Sequence, residues 1–343
     1  MSKMSKQPIR TVIVGLGKMG LSHLAILNAH PSFNIVGICD TSGIVLEAFK
    51  QHSVFECFTD YRKMIDRVAP EAIIIATPTK FHYEMAKYAL DKGLHVFLEK
   101  PFSLQLHEGE ELVRMAEAKQ VVTQVGYHNR FIGVFREVKR LIDQQAIGEV
   151  YHFVAECYGP VVIRQKEGTW RSNPTEGGGC LFDYASHIID LLQYVLGPVS
   201  KLDSGSLKKI YSLQVEDAVY ASLQLTSGVS GHLSVNWSDE TYRKISPQMT
   251  IMGKEGKIVA DAQELKIYFK GKPKLAEYEK GWNVKYVTDL TPSVGFYLRG
   301  EEYSAQIDYF AACIQERNTR GISTFSTALK TDRVLSLLKQ YTA

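Results

Sequence analysis

Thr11-Val12-Ile13-Val14-Gly15-Leu16-Gly17-Lys18-Met19-Gly20 is a short apolar run that breaks into three glycines spaced G-x-G-x-x-G. The first glycine permits a tight turn, the second lets the backbone approach a pyrophosphate, and the third lets a helix pack closely on the preceding strand. A helix opening there points backbone amides and the positive end of its dipole at phosphate groups. By itself the motif is weak, and its surroundings decide. Asp40 follows Gly20 by twenty residues, at the end of a second apolar run, where an acid can hold the hydroxyls of an adenosine ribose. That acid repels a ribose 2′-phosphate, and Thr41-Ser42 supply no arginine to bind one, so NAD is favoured over NADP. Capping a helix or turn is the other use of such an aspartate.

Outward from this motif, short apolar runs at 11–14, 35–39, 72–76, 95–98 and 121–125 alternate with amphipathic stretches at 20–29, 44–52, 61–68, 82–92 and 106–118. Alternation of this kind calls for a parallel sheet covered on both faces, a doubly wound Rossmann domain over residues 1–126. Beyond it the character changes. A helix over 135–144 leads into strands at 150–157, 201–209, 218–225, 230–237, 248–252, 257–261 and 265–269, several alternating with period two. Strands in succession without helices argue a large, mostly antiparallel open sheet, so residues 127–343 read as an α+β domain. One helix over 181–195 interrupts them, stopped by Gly197-Pro198. Terminal helices at 302–315 and 328–341 can pack on either domain.

Composition narrows the function classes. Of 343 residues, 45 % are hydrophobic and 22 % charged, as in a globular chain long enough for two cores. Forty basic against thirty-seven acidic residues leave +3, too little for a nucleic-acid or membrane footprint. The basic start, Met1 to Lys6, superficially suggests a signal peptide, but the apolar run after it is short and breaks at Gly15. A buried strand explains it better. Five scattered cysteines without C-x-x-C spacing read as reduced thiols of a cytoplasmic protein.

Two further constellations carry chemistry. In Leu94 to Pro101 an apolar run delivers Glu99-Lys100-Pro101 at a strand's carboxyl end, the edge at which open α/β sheets bind ligands. Thr77-Pro78-Thr79 reaches the same edge from another strand, and His82 opens the next helix as a ligand contact or a cap. The second constellation is Gly177-Gly178-Gly179 followed by Asp183 and His187, one helical turn apart. An acid beside an imidazole can orient its tautomer and stabilise its charged form. Metal ligation is the rival use, but these residues supply too few ligands, and no metal is expected. Asp190, one turn further on, reads as part of a surface set.

Together these segments resemble the Gfo/Idh/MocA family over nearly the whole chain: Val14 to Gly20 with His23, Ala76 to Thr79 with His82, His95 to Pro101, Gly126 to Phe131, and Gly177 to Gly179 with Asp183 and His187. The resemblance implies an N-terminal Rossmann domain, a C-terminal domain whose open sheet serves oligomerisation as a homodimer or homotetramer, and oxidation or reduction of a sugar, inositol or related polyol. Position by position it makes Lys100, Asp183 and His187 catalytic. Cofactor contacts fall on Gly15, Gly17, Lys18, Met19, Gly20, Asp40, Thr77, Pro78, His82, Glu99 and Lys100. Tyr127 and Arg130 match the loop bordering the active site, and Trp170 with Arg171 a substrate-lining segment. His128 departs from the pattern, standing where asparagine or methionine is more usual.

The expected chemistry is hydride transfer between a nicotinamide and a secondary alcohol. His187 is the expected base and Lys100 the hydrogen-bond donor to the reacting oxygen. Asp183 would orient His187 or bind substrate, and proton transfer by Lys100 instead of His187 stays open. Arg164, Lys166, Trp170 and Arg171 suit a phosphorylated, carboxylated or nucleotide-linked sugar, or else form a solvated loop. Tyr297 and Arg299 are weaker candidates. Two other readings stay open: a dinucleotide-binding regulator without turnover, and a reductase of a non-sugar substrate.

Overall fold

The structure, a computed structural model, describes residues 7–52, 54–165 and 168–341. Lys166 and the basic segment 1–6 lie outside the described residues. The chain divides into two compact units, one ending at His128 and joined by Ser293–Leu329, the other Asn129–Pro292 with the segment from Lys330 onward.

In the first unit the apolar runs become β1 (Ile9–Val14), β2 (Phe33–Cys39), β3 (Cys57–Phe58), β4 (Ala72–Ile75), β5 (His95–Leu98) and β6 (Thr123–Val125). Between them run α1 (Lys18–Ala29), α2 (Gly43–His52), α3 (Tyr61–Val68), α4 (His82–Asp91) and α5 (Leu106–Lys119). Among the described residues the strands form one sheet ordered β3-β2-β1-β4-β5-β6, every pairing parallel. β3, only two residues long, is too short to show a sequence pattern and is missing from the sequence reading. Successive strand residues face opposite layers. Ile13, Ile74 and Phe97 pack with Leu24 and Leu27 of α1, whereas Val12, Ile73, Ile75 and Val96 pack with Ala86, Ala89 and Leu90 of α4. The strand order reverses between β1 and β4, and the turns after those two strands flank the switch point where such sheets bind ligands.

The second unit begins with α6 (Gly133–Asp143) and β7 (Val150–Tyr158), continues through α7 (Ser186–Leu196), and lays down β8 (Val199–Lys208), β9 (Ala218–Leu225), β10 (Ser230–Asn236), β11 (Ser246–Gly253), β12 (Gly256–Asp261), β13 (Glu264–Phe269) and β14 (Gly281–Tyr286). Short α8 (Val287–Leu290) follows. The sheet runs β14-β13-β12-β11-β7-β10-β9-β8 and is antiparallel except where β10 meets β7. One face buries Phe153, Ala155, Cys157, Leu233 and Ile251. The opposite face carries half-exposed His152, Val154, Met252, Val259 and Tyr268, with exposed Trp282 beside Tyr268. β14 has no counterpart in the sequence reading.

The chain then returns. α9 (Glu301–Glu316) buries Ile307 and Phe310 against Phe97 and Phe33 of the first sheet. α10 (Phe325–Leu338) starts in the same unit, where the Phe325 ring packs tilted against Phe102, with centroids 4.7 Å apart. The segment before it closes the edge of the sheet: Val125 N–H donates to Ser323 O at 2.8 Å, and Ser323 Oγ donates to Val125 O at 2.8 Å. Among the described residues, no helix is long and apolar enough to cross a membrane.

Candidate active site

The glycine turn behaves as its spacing demands. Gly15 has φ +90°, and a Cβ there would stand 2.7 Å from Ala76 O; a Cβ on Gly20 would stand 1.8 Å from Gly15 O. Gly17 differs. A Cβ on it would meet no protein atom within 4 Å, and no side chain caps the amino end of α1 that it begins. Lys18 is exposed and Met19 half-buried beside this open end. Asp40, just past β2, accepts from Leu16 N–H at 2.6 Å and from Ser42 N–H at 2.8 Å, one on each oxygen. It braces the glycine turn and keeps a second lone pair per oxygen for a ribose hydroxyl. Uncapped amides, an open glycine and a correctly placed carboxylate fit a dinucleotide.

Across the switch point, Thr77 and exposed Pro78 follow β4. His82 is buried, with Nδ1 3.0 Å from Pro101 O and Nε2 3.0 Å from Thr77 O. Burial holds this imidazole below its ordinary value despite the opposing pull of those carbonyls. A neutral ring has one proton and donates to one carbonyl at a time, so His82 ties two loops of the crevice together rather than simply capping α4. At the end of β5, Glu99 Oε1 meets His23 Nε2 of α1 at 2.6 Å, both side chains buried, and Glu99 Oε2 accepts the Lys100 N–H at 3.2 Å. Burial pushes the Glu99 carboxyl up, but the His23 hydrogen bond and charge, then Lys100 and His128, bring it below the usual carboxylate range. Lys100 is half-buried and its bond to Pro101 is cis.

Past β6, Tyr127 is buried and His128 stacks on Tyr303 of α9 at 4.6 Å. Burial pulls His128 down to about 4, with Glu99 opposing and Lys100 and Arg299 reinforcing the drop. Arg299 lies over the Tyr303 ring at 5.4 Å, whereas Tyr297 is 65 % exposed.

In the second unit, Arg130 donates from Nε and Nη2 to both oxygens of Asp190 and lies over Tyr194 at 5.2 Å. Asp190 is fully buried, which corrects its reading as a surface residue. Asp183 and His187 are both buried, but the helix carrying them is not uniform. Leu181–Ala185 forms a π-helical turn and Ser186 starts α7, so Asp183 sits in the wider turn and His187 in the α-helix. Arg171 Nε donates to Asp183 Oδ2 at 2.9 Å while its guanidinium lies over Trp170 at 4.6 Å. The glycine triplet makes this possible: a Cβ on Gly178 would collide with the carbonyls of Trp170, Arg171 and Asn173. Gly179, at φ +103°, makes room for Glu216, whose Oε1 accepts Leu181 N–H at 2.8 Å. Glu216 holds the start of the segment that carries Asp183 and is absent from the sequence reading, since nothing in the sequence announces a carboxylate that reaches a helix 35 residues upstream.

The model of the oxidoreductase family with the NAD-binding Rossmann fold matches residues 9–127, and that of the GFO/IDH/MocA C-terminal domain matches residues 135–259. An uncharacterized oxidoreductase of Schizosaccharomyces pombe is 29 % identical over 61 % of this chain, which spans only 58 % of that relative's length. D-glucoside 3-dehydrogenase of Escherichia coli is 25 % identical over 66 % of this chain and 70 % of its own. The solved levoglucosan dehydrogenase in complex with NADH superposes with a TM-score of 0.86 over 98 % of this chain and 97 % of its own at 20 % identity, a likeness of fold. The two family models together cover more than half of the chain, which therefore belongs to the Gfo/Idh/MocA oxidoreductase family.

Proposed function

We propose that this chain moves a hydride between NAD and the secondary alcohol of a sugar, inositol or sugar derivative. One observation carries the reading: a chain of this oxidoreductase family has Lys100 at the carboxyl end of β5 and Asp183 with His187 on one buried helical segment. Bound NAD supplies the hydride acceptor, or as NADH the donor. Asp40 favours NAD over NADP, since its carboxylate would accept from ribose hydroxyls and repel a 2′-phosphate. In the oxidative direction a ring nitrogen of His187 takes the hydroxyl proton as the alcohol carbon gives up its hydride, leaving a carbonyl. Lys100 Nζ donates a hydrogen bond to the same oxygen and stabilises its alkoxide character. Asp183, held by Arg171, orients the imidazole. Trp170 and Arg171 lie on the substrate side of this reading, Arg171 with its Nε committed to Asp183.

Incubation with NAD or NADP and a panel of polyols, sugars, sugar phosphates and nucleotide-sugars, followed by nicotinamide absorbance, tests the proposal. Reduction of NAD with at least one panel member is expected, with kcat lower by about 100-fold in Lys100→Ala and in His187→Ala. Cofactor binding with no turnover anywhere in the panel overturns the reading in favour of a regulator. The half-exposed face carrying Val154, Met252, Val259 and Tyr268 is assigned to self-association as a homodimer or homotetramer. A monomer by light scattering would refute that assignment.

A further inference from the structure

His23 and Glu99 are two ionisable groups buried against each other, the imidazole with no exposed surface and the carboxylate 10 % exposed. Space is made for them: a Cβ on Gly126 would stand 3.0 Å from Glu99 Oε1, and the edge of the His23 ring meets Phe97 at 5.0 Å. His23 Nδ1 is buried without a hydrogen-bond partner among the described residues, which assigns the ring proton to Nε2, facing Glu99. Burying such a pair is no cheaper than packing hydrophobic residues of equal volume, so its retention points to a use for its charge. Its place suggests the use. His23 belongs to α1, the helix whose open amino end fits a pyrophosphate, and Glu99 immediately precedes Lys100 and accepts that residue's N–H.

We infer that His23 and Glu99 are positioning residues for Lys100: His23, acting through Glu99, holds a fixed negative charge beside the lysine and sets its direction and protonation. The inference rests on Lys100 being the hydrogen-bond donor of the reaction. The titratable and charged groups around the carboxylate are His23 from α1, Lys100 from its own turn, His128 from the turn after β6, and Tyr303 from α9, with Arg299 facing His128. Of these, His23 makes the short hydrogen bond to Glu99. A buried carboxylate stripped of that donor takes up a proton, and its charge beside Lys100 is lost.

The test labels amines and needs no substrate. Brief acetylation over a pH series, read by peptide mass spectrometry, gives the pH midpoint at which the Lys100 amine becomes reactive. In the full-length protein Glu99→Gln is expected to move that midpoint down by roughly one unit, the size of one nearby charge. His23→Leu is expected to shift it in the same direction, and His23→Gln, which keeps an N–H donor facing Glu99, to restore it. The double variant His23→Leu with Glu99→Gln moves no further than either single change, because both remove one charge. An unmoved midpoint in Glu99→Gln overturns the inference, as does a His23→Gln shift equal to that of His23→Leu. Should His23→Leu fail to fold by circular dichroism, the two glutamine variants decide. Where the wild type turns over substrate, the pH profile of kcat moves with the labelling midpoint. A shifted midpoint in a protein that turns over nothing in the panel sinks the proposed reaction, and with it the catalytic use of Lys100, while the coupling of His23 and Glu99 to the lysine amine stands.

Discussion

At Asp190 the carboxylate takes one hydrogen bond from Arg130 Nε at 2.7 Å and another from Nη2 at 2.6 Å, with no solvent to share the charge. Burial pushes the Asp190 carboxyl up, and the guanidinium opposes it. Asp190→Asn keeps the shape and leaves Arg130 buried with an uncompensated charge, so a loss of about 3–5 kcal/mol is expected in urea unfolding. Joint replacement by Arg130→Met and Asp190→Leu should recover most of it; a single variant as stable as the wild type would refute the account. This pair shows where sequence reading stops. Its members stand 60 positions apart and neither names the other, and Asp190 taken alone resembles a solvated turn of helix. The place of Lys100 just past the end of β5, by contrast, is legible because strand, acid, lysine and proline are contiguous.

The glycine turn is legible because its requirements lie within one turn of chain, and the structure separates its three glycines by function. Gly20→Ala forces a Cβ into Gly15 O, so loss of NADH binding together with a lowered Tm is expected. Gly17→Ala meets no protein atom and is expected to keep the wild-type Tm while weakening NADH binding by about tenfold, roughly 1.4 kcal/mol. Fluorescence titration with NADH beside thermal unfolding reads both; equal damage from the two substitutions would show that Gly17 serves the fold, not the cofactor. The π-helical turn at Leu181–Ala185 was not legible. Over five residues a 3.6-residue period and a wider one give the same apolar pattern, and the partners at the start of the turn come from elsewhere, Glu216 on the Leu181 N–H and the Trp170, Arg171 and Asn173 carbonyls against Gly178. Such turns gather at functional sites.

For the molecule as a whole, acid should be the weakness. Burial depresses His82, His95 and, to about 4, His128. The unfolded chain protonates these rings near pH 6.5 while the folded chain does not, so it binds more protons as pH falls below about 6.5, and their contribution to stability declines toward pH 4. Asp190 and Glu216, pushed up by burial, act in the opposite sense at the lower end of that range. Comparing variants isolates the histidine effect: His128→Gln is expected to flatten the fall in Tm between pH 6.5 and 4, and an unchanged slope would remove His128 from the account. The alternation of strands and helices reveals the first sheet, but not that the chain comes back to finish it. Ile307, Phe310 and Phe325 follow ordinary amphipathic patterns that name no destination.

That return sets an order of events during synthesis. The hydrogen bonds that close the outer edge of β6 come from Ser323, 198 residues downstream of Val125. A growing chain can lay down its whole nucleotide-binding sheet and still present an unpaired strand to its surroundings until Ser323 has been made, and unpaired edges recruit other strands. Expression of residues 1–128 alone is therefore expected to yield aggregates, soluble only when the segment Ser293–Leu329 is supplied with them.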